Sequence, residues 1–153
     1  TIGDAKVWLE TGLDVAMALD PTDKDILTVR PDPLMDAVLS AFESQGLRIR
    51  QVECEEVNGF DLPFVQEFEM VPTDGPYHGV WRELEFVAHR DEQNLKLWFE
   101  VDRTRTGASG MLASLLGSGK LKRELSIPVN TKLDEVGSLI LNYLERTTAA
   151  HES

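Results

Sequence analysis

Apolar residues recur along this chain with two different periods, one helical and one of two residues. After Asp32-Pro33, the residues Leu34, Val38 and Phe42 follow one another at helical spacing as far as Gly46. Asp can accept hydrogen bonds from the free N–H groups that begin a helix, and Pro fits the first helical position. Glycine suits the left-handed residue that follows a helix. The pattern therefore predicts a helix between these two ends.

From residue 47 onward the apolar period becomes two, which is typical of strands with one buried face. The alternation predicts four strands in an antiparallel meander, because short polar loops separate them. The strands are expected at about 47–55, 64–71, 81–90 and 95–103. Outside this region we predict short strands at 5–10, 26–30 and 121–127, a loop at 20–25, and helices at 108–116 and 131–145.

These elements predict one mainly β or α+β domain, an antiparallel and sandwich-like fold with two or three α-helices packed on the sheet. A chain of 153 residues has the usual length of a single domain. We expect the domain to span 1–146 and residues 147–153 to form a flexible polar tail. The chain starts without methionine and enters a strand-like segment at once, so we expect a fragment or a processed product that lacks a partner lobe.

The charge of the chain narrows the classes of partner. The 27 acidic residues outnumber the 15 basic residues, which gives a formal net charge of -12 that repels phosphate backbones and anionic lipids. We therefore expect neither nucleic acid nor a membrane as a partner, and no apolar run reaches the ~20 residues that span a bilayer. The single cysteine, Cys54, fits the reducing cytoplasm and is expected in the core.

Residues 107–120 are rich in glycine and end in Gly-Lys, which invites comparison with a phosphate-binding loop. That motif requires glycine where Ser114 stands and a hydroxyl residue where Leu121 stands. A helix bracketed by turn glycines explains the same residues. We therefore predict no nucleotide or other cofactor here.

Other reactive side chains also lack the spacing that chemistry requires. The aspartates of residues 20–25 lack the glycine and the closing glutamate of an EF-hand loop. The three histidines form no pair at metal-binding spacing, and no Gly-x-Ser-x-Gly turn presents a nucleophile. We therefore predict no catalytic residue and no metal ligand; the residues considered are Asp20, Asp23, Asp25, His78, His89 and His151.

When the middle strands are aligned so that their apolar residues share one face of the sheet, many carboxylates fall on the other face. Like charges on neighbouring strands destabilise a sheet, so Arg48 and Arg50 of the preceding strand are expected to offset them. We interpret this face either as exposed and screened by salt or as a docking surface for a basic element of another protein. Two tryptophans also fall at polar positions of the alternation. We interpret them either as contact residues for a partner or as residues covered by a helix or a second sheet. The candidate partner-binding residues are Glu67, Glu69, Glu83, Glu85, Glu100, Asp102, Trp81 and Trp98.

Five stretches of the chain resemble the C-terminal half of the bacterial sporulation-control family of arrestin-like proteins. They are Lys6–Asp23, Val29–Met35, Leu47–Glu53, the stretch Leu62-Pro-Phe-Val-Gln-Glu-Phe-Glu69, and Phe99–Arg103. The resemblance implies a cytoplasmic regulator with two arrestin-like β-sandwich lobes and no known catalytic residues. This chain would be the second lobe, so the missing N-terminal lobe is an expected partner. The residues 104–106 depart from the family, which usually has more basic residues and glycine there.

The residues and the resemblance together predict a non-enzymatic regulatory scaffold or adaptor that acts through protein contacts in sporulation or cell-cycle control. The expected partners are proteins with a basic surface. Two alternatives stay open at this point. One is a small carboxylate- or metal-dependent hydrolase that uses some of the clustered acids, and the other is a structural assembly module.

Overall fold

The computed structural model describes residues 7–14, 16–17, 22–56, 64–101 and 124–151, and its elements fall into two units, residues 1–32 and 33–153. The first unit holds an antiparallel hairpin of β1 (Val7–Gly12) and β2 (Thr22–Leu27). Every residue of both strands is exposed. The ammonium group of Lys24 lies 3.9 Å from the centre of the Trp8 ring.

The strand β2 starts earlier than the sequence indicated. Asp23 and Asp25 belong to it, so the predicted loop at 20–25 was wrong over these residues. Aspartate disfavours strands and favours turns. Here pairing overrides that preference, because Asp23 lies opposite Thr11, and Lys24 lies opposite Glu10 with its ammonium over Trp8.

The second unit combines two helices with one antiparallel sheet. It begins with α1 (Pro33–Ser44) and ends with α2 (Leu133–His151). The five strands between them are hydrogen-bonded in chain order, and they are β3 (Leu47–Glu56), β4 (Phe64–Pro72), β5 (Leu84–Arg90), β6 (Asn94–Val101) and β7 (Glu124–Pro128). The α+β prediction is therefore confirmed. The two sheets lie in separate units, so a sandwich of sheets stays a prediction.

The helices cover one face of the five-stranded sheet through a row of aromatic rings. Phe68, Phe86 and Phe99 lie directly opposite one another on β4, β5 and β6. The ring of Phe42 on α1 lies 5.3 Å from that of Phe86, and Tyr143 on α2 lies 4.4 Å from Phe99. Aromatic side chains bury large apolar areas in cores. This row fixes which face of each strand points to the helices.

Two glycines join the end of α1 to the loop after β4. Gly46 follows the helix with a φ of 81°, and its carbonyl accepts a hydrogen bond from Thr73 N at 2.9 Å. A Cβ at Gly46 would lie 2.1 Å from the backbone oxygen of Asp74. Gly75, with a φ of 77°, approaches Gln45 in the same way. The helix therefore ends at the predicted glycine, which is also needed for this close approach.

The last helix is longer than expected. It continues to His151 and includes most of the residues predicted as a tail. No helix in the described part of the chain has the length and apolar content needed to cross a membrane. The predicted helix at 108–116 and the departure at 104–106 lie outside the described residues, and the single-domain boundaries stay a prediction.

Candidate functional site on the carboxylate face

The sheet face opposite the helices carries four of the six predicted carboxylates, and we call it the carboxylate face. Glu67, Glu69, Glu85 and Glu100 alternate with residues of the aromatic core, so they point away from the helices. Glu69 lies directly opposite Glu85, and Glu85 directly opposite Glu100. Three neighbouring strands thus form a ladder of like charges, which costs stability unless other groups offset it.

Arg50 supplies part of that offset. It lies at an irregularity in the pairing of β3 with β4, between Ile49 and Gln51. Its guanidinium forms ion pairs with Glu69 and, at 2.7 Å, with Glu83, which immediately precedes β5. The bulge turns this arginine toward β5, two strands away from its own. The predicted role of Arg50 is thereby observed, whereas Arg48 instead contacts Asp74 at 3.7 Å.

The carboxylate face is far less exposed than its polar sequence indicated. Glu67 and Glu85 each keep only 8% of their surface, and Val65 and Val87 beside them are fully buried. The side chains of Glu69 and Glu83 are 15% and 12% exposed. The expectation of an exposed, salt-screened face was therefore wrong. Alternation alone shows which residues share a face, but not whether that face meets water.

The two tryptophans have different positions. Trp98 projects from β6 on the carboxylate face, where its indole Nε1 donates to Glu124 Oε2 at 3.1 Å and 7% of the residue is exposed. Trp81 lies in the turn before β5 and belongs to the hydrophobic core, with its ring stacked 4.3 Å from Tyr77. The placement of Trp81 on the polar face was wrong, because the alternation of β5 starts only at Leu84.

The remaining residues considered from the sequence lie at several places in the chain, some of them outside the described residues. Asp102, Asp20 and the segment 107–120 lie outside the described residues. His78 Nδ1 lies 3.1 Å from the carbonyl oxygen of Pro72, in a turn. His89 is buried on the carboxylate face opposite Lys96. Neither histidine belongs to a metal-binding group among the described residues.

A second group of acids, formed by β3 and the neighbouring strand β4, was not predicted from the sequence. Ligand oxygens of Glu53, Glu55 and Glu67 all lie within 4.8 Å of one another, so these residues could hold a metal ion, although acids often cluster without one. Counting by twos from Arg48 puts Val52 and not Glu53 on the polar face. The bulge at Arg50 reverses the phase. The sequence carries a signal of it, because the apolar positions shift from Leu47 and Ile49 to Val52 and Cys54, and the cross-strand register shows it directly.

Cys54 is exposed, so the prediction that it belongs to the core was wrong. It lies on the same face of β3 as Val52, which is the face toward the helices. Its cross-strand neighbour, however, is the exposed Gln66 rather than an apolar residue. The amide nitrogen of Gln66 lies 4.0 Å from the sulfur. The packed core therefore ends before Cys54, near the far end of β3.

The turn between β5 and β6 contains a carboxyl group, that of Asp91, whose pKa is lowered by its contacts. Asp91 pairs with Lys96 at 2.9 Å and accepts hydrogen bonds from the backbone N–H groups of Gln93 and Asn94. The Lys96 hydrogen bond and then the two backbone bonds lower the pKa of Asp91 to about 2. Each contact stabilises the ionised form in a turn, which is a structural role.

A groove of about 390 Å³ lies between β7 and α2, lined by Leu125, Leu139, Asn142, Glu145 and Arg146. Its lining offers one carboxylate and one guanidinium but no nucleophile. Nearby, burial and then the charge of Glu145 raise the pKa of Tyr77. This groove therefore supplies apolar surface rather than a group of catalytic side chains.

Similarity to known proteins was found in sequence and in structure. The SpoOM protein family matches residues 1–105. The sporulation-control protein spo0M of Bacillus subtilis (strain 168) is 39% identical over 122 residues, which is 78% of this chain and 47% of the relative. The crystal structure of Spo0M from Bacillus subtilis superposes with a TM-score of 0.69 at 31% identity, over 98% of this chain and 61% of that one. The chain thus spans about half the length of its curated relative.

Proposed function

The chain belongs to the SpoOM protein family, and on that premise we propose that it is a regulatory protein that acts through contacts with other proteins rather than by catalysis. The observation that carries the proposal is its 39% identity to a protein named for sporulation control. We propose the role of a scaffold or adaptor in sporulation or cell-cycle control. The single, exposed cysteine supports a reducing location such as the cytoplasm.

The contacts of the carboxylate face support a binding protein. Glu69 and Glu83 are ion-paired with Arg50, and Glu124 accepts from Trp98. A general acid or base has to reach the substrate proton that it transfers. Carboxylates that are largely buried and bonded to their own sheet are better suited to fixing the strands than to that task.

Two kinds of partner form part of the proposal. The first is a lobe corresponding to the part of the relative that this chain does not span, which by resemblance would be an N-terminal arrestin-like lobe. The second is a protein with a basic surface, which the net charge of -12 would attract at long range. Both partners are consistent with a protein whose activity is association.

A chimera tests the regulatory role. The region of the Bacillus subtilis relative that matches this chain is replaced by the chain, and the chimera is expressed in cells that lack the relative. We expect sporulation to be restored to a level well above that of the deletion strain, because the family fold and its contact surfaces are retained. The unmodified relative is the positive control. A chimera that is folded and abundant but leaves sporulation at the deletion level would contradict the proposal.

The alternative of a metal-dependent hydrolase depends on Glu53, Glu55 and Glu67, whose oxygens are close enough to share an ion. Calorimetric titration with calcium, magnesium, manganese and zinc distinguishes the two functions. The regulatory proposal expects weak binding that the Glu55→Gln substitution barely alters. Tight binding of one ion that this substitution abolishes would favour the hydrolase.

A further inference from the structure

The strand β3 is an edge of the five-stranded sheet. Nine of its ten residues pair with β4 on one side, and no other strand in the described part of the chain pairs with its second side. An unpaired edge presents a row of backbone N–H and C=O groups that can bind an added strand.

The two halves of this edge differ. In the first half, Arg50 lies in the bulge and its guanidinium is directed to Glu69 and Glu83. Bulges, prolines and lysines protect edge strands from unwanted pairing. The second half, Gln51–Glu56, pairs with β4 in continuous register and contains neither proline nor lysine. Within the described part of the chain this regular half has no strand on its second side. Its side chains therefore decide which added strand it accepts.

The side chains of the regular half are acidic. Glu53, Glu55 and Glu56 contribute three carboxylates and no basic residue interrupts them, while Glu67 of β4 lies directly opposite Glu53. Glu53 and Glu56 are exposed. An added strand would place its own side chains about 5 Å from those of β3. The charge of that strand consequently determines whether it binds.

A second copy of this chain does not fit the edge. Pairing of two identical regular halves would bring glutamates opposite or diagonal to glutamates, which is unfavourable in a sheet. A strand with Lys or Arg at alternate positions instead meets Glu53 and Glu55 on one face of the sheet. Its other side chains would lie on the opposite face, beside Val52 and Cys54. Charge complementarity thus selects one occupant.

We propose that the Gln51–Glu56 edge of β3 binds an extended basic segment of another protein by strand addition. The inference rests on the proposed role in protein contacts and names a surface and a partner chemistry for it. It also moves the expected contact from the buried middle strands of the carboxylate face to its edge, since β3 combines exposed acids with a second side that pairs with no strand of the described residues.

A capped peptide of alternating Lys and Val residues tests the inference on the complete 153-residue chain. Its control is the same sequence with every backbone nitrogen methylated, which keeps the charge but cannot pair as a strand. Two native probes report on the edge. They are amide hydrogen exchange of residues 51–56 and the alkylation rate of Cys54, the one cysteine of the chain.

We expect the Lys-Val peptide to slow both amide exchange at 51–56 and alkylation of Cys54 several-fold, and the methylated peptide to do neither. The paired substitution Glu53→Gln and Glu55→Gln should weaken binding roughly 2- to 30-fold, as expected for two cross-strand charge pairs. The matched control removes two other exposed acids, with Glu43→Gln and Glu92→Gln. It should change affinity by less than the β3 pair.

Three results would overturn the inference: equal binding of the methylated peptide, protection at a different segment, or equal loss of affinity in both double variants. Failure of the peptide test together with a functional chimera would leave the regulatory proposal intact and place its contact elsewhere. A peptide that binds as expected beside a chimera that fails would reject the regulatory proposal alone.

Discussion

Among the glycines of the described residues, Gly46 is the one at which an added Cβ would come closest to another atom. Its φ of 81° lies in the left-handed region, and an added Cβ would meet the backbone of Asp74 at 2.1 Å. Backbone strain of this kind costs about 1–3 kcal/mol, and displacement of the Asp74 loop would add to it. We therefore expect Gly46→Ala to lower the free energy of unfolding by at least that amount in urea denaturation.

Gly137 provides the matched control for that measurement. It lies within α2, and nothing lies within 4 Å of a Cβ built on it. Replacing a helical glycine by alanine stabilises by roughly 0.5–1 kcal/mol. Gly137→Ala should thus raise stability while Gly46→Ala reduces it. Equal effects of the two substitutions would show that the approach to Asp74 is unimportant.

Asp91 gives a prediction about pH. Its hydrogen bond with Lys96 is the first cause of a pKa of about 2, below the ordinary 3.8. A carboxyl whose folded pKa is lowered contributes stability above the unfolded pKa, and this contribution is lost as the pH falls from about 4 toward 2. In an NMR titration of the side-chain carboxyl, Lys96→Met should move the midpoint up toward 3.8. The two backbone bonds should keep it from reaching that value. An unchanged midpoint would mean that Lys96 does not stabilise the carboxylate.

Among the elements, the β1–β2 hairpin differs from the rest in its exposure to solvent. All residues of both strands are exposed, including Trp8 and Ile26, which lie opposite each other. A lone two-stranded hairpin is at best marginally stable in water. We expect its amides to exchange with solvent much faster than those of β5, whose strand lies at the centre of the sheet. Hydrogen exchange at neutral pH tests this, and equal protection in β1 and β5 would contradict it.

Elements with one strong local signal could be predicted, whereas those decided by distant contacts could not. The stripe of α1 and the alternation around Phe68, Phe86 and Phe99 agree with the structure. Trp81 was misplaced because hydrogen bonds from Val80 N and Trp81 N to the Tyr77 carbonyl form a turn before the strand. The bulge at Arg50 was missed, although the apolar positions shift there from Leu47 and Ile49 to Val52 and Cys54. The burial of the carboxylate face depends on contacts between residues far apart in the chain, and these cannot be deduced from the alternation within single strands.

At the scale of the whole molecule, we expect the excess of acidic charge to determine how salt changes the free energy of unfolding. The net charge is -12, and exposed acids such as Glu53, Glu56 and Glu92 contribute to it. Raising the ionic strength from 0.01 to 0.1 M shortens the Debye length from about 30 to about 10 Å. We expect sodium chloride in this range to increase the free energy of unfolding by about 1 kcal/mol through reduced repulsion.

Urea denaturation at pH 7 measures that change, and the same titration in acid, where carboxylates are neutral, is its control. The salt effect should shrink or vanish there. A loss of stability with salt at pH 7 would mean that the ion pairs of Arg50 outweigh the repulsion among the acids.

The bulge in β3 has a consequence for handling the purified protein. Its irregular shape protects the first half of that strand, whereas in the described part of the chain the half from Gln51 to Glu56 is protected from its own copies by charge. Such protection ends when solution acidity neutralises glutamates. Low-pH elution or storage would then let the β3 edges of two copies pair into a dimer, so neutral buffers are the appropriate choice.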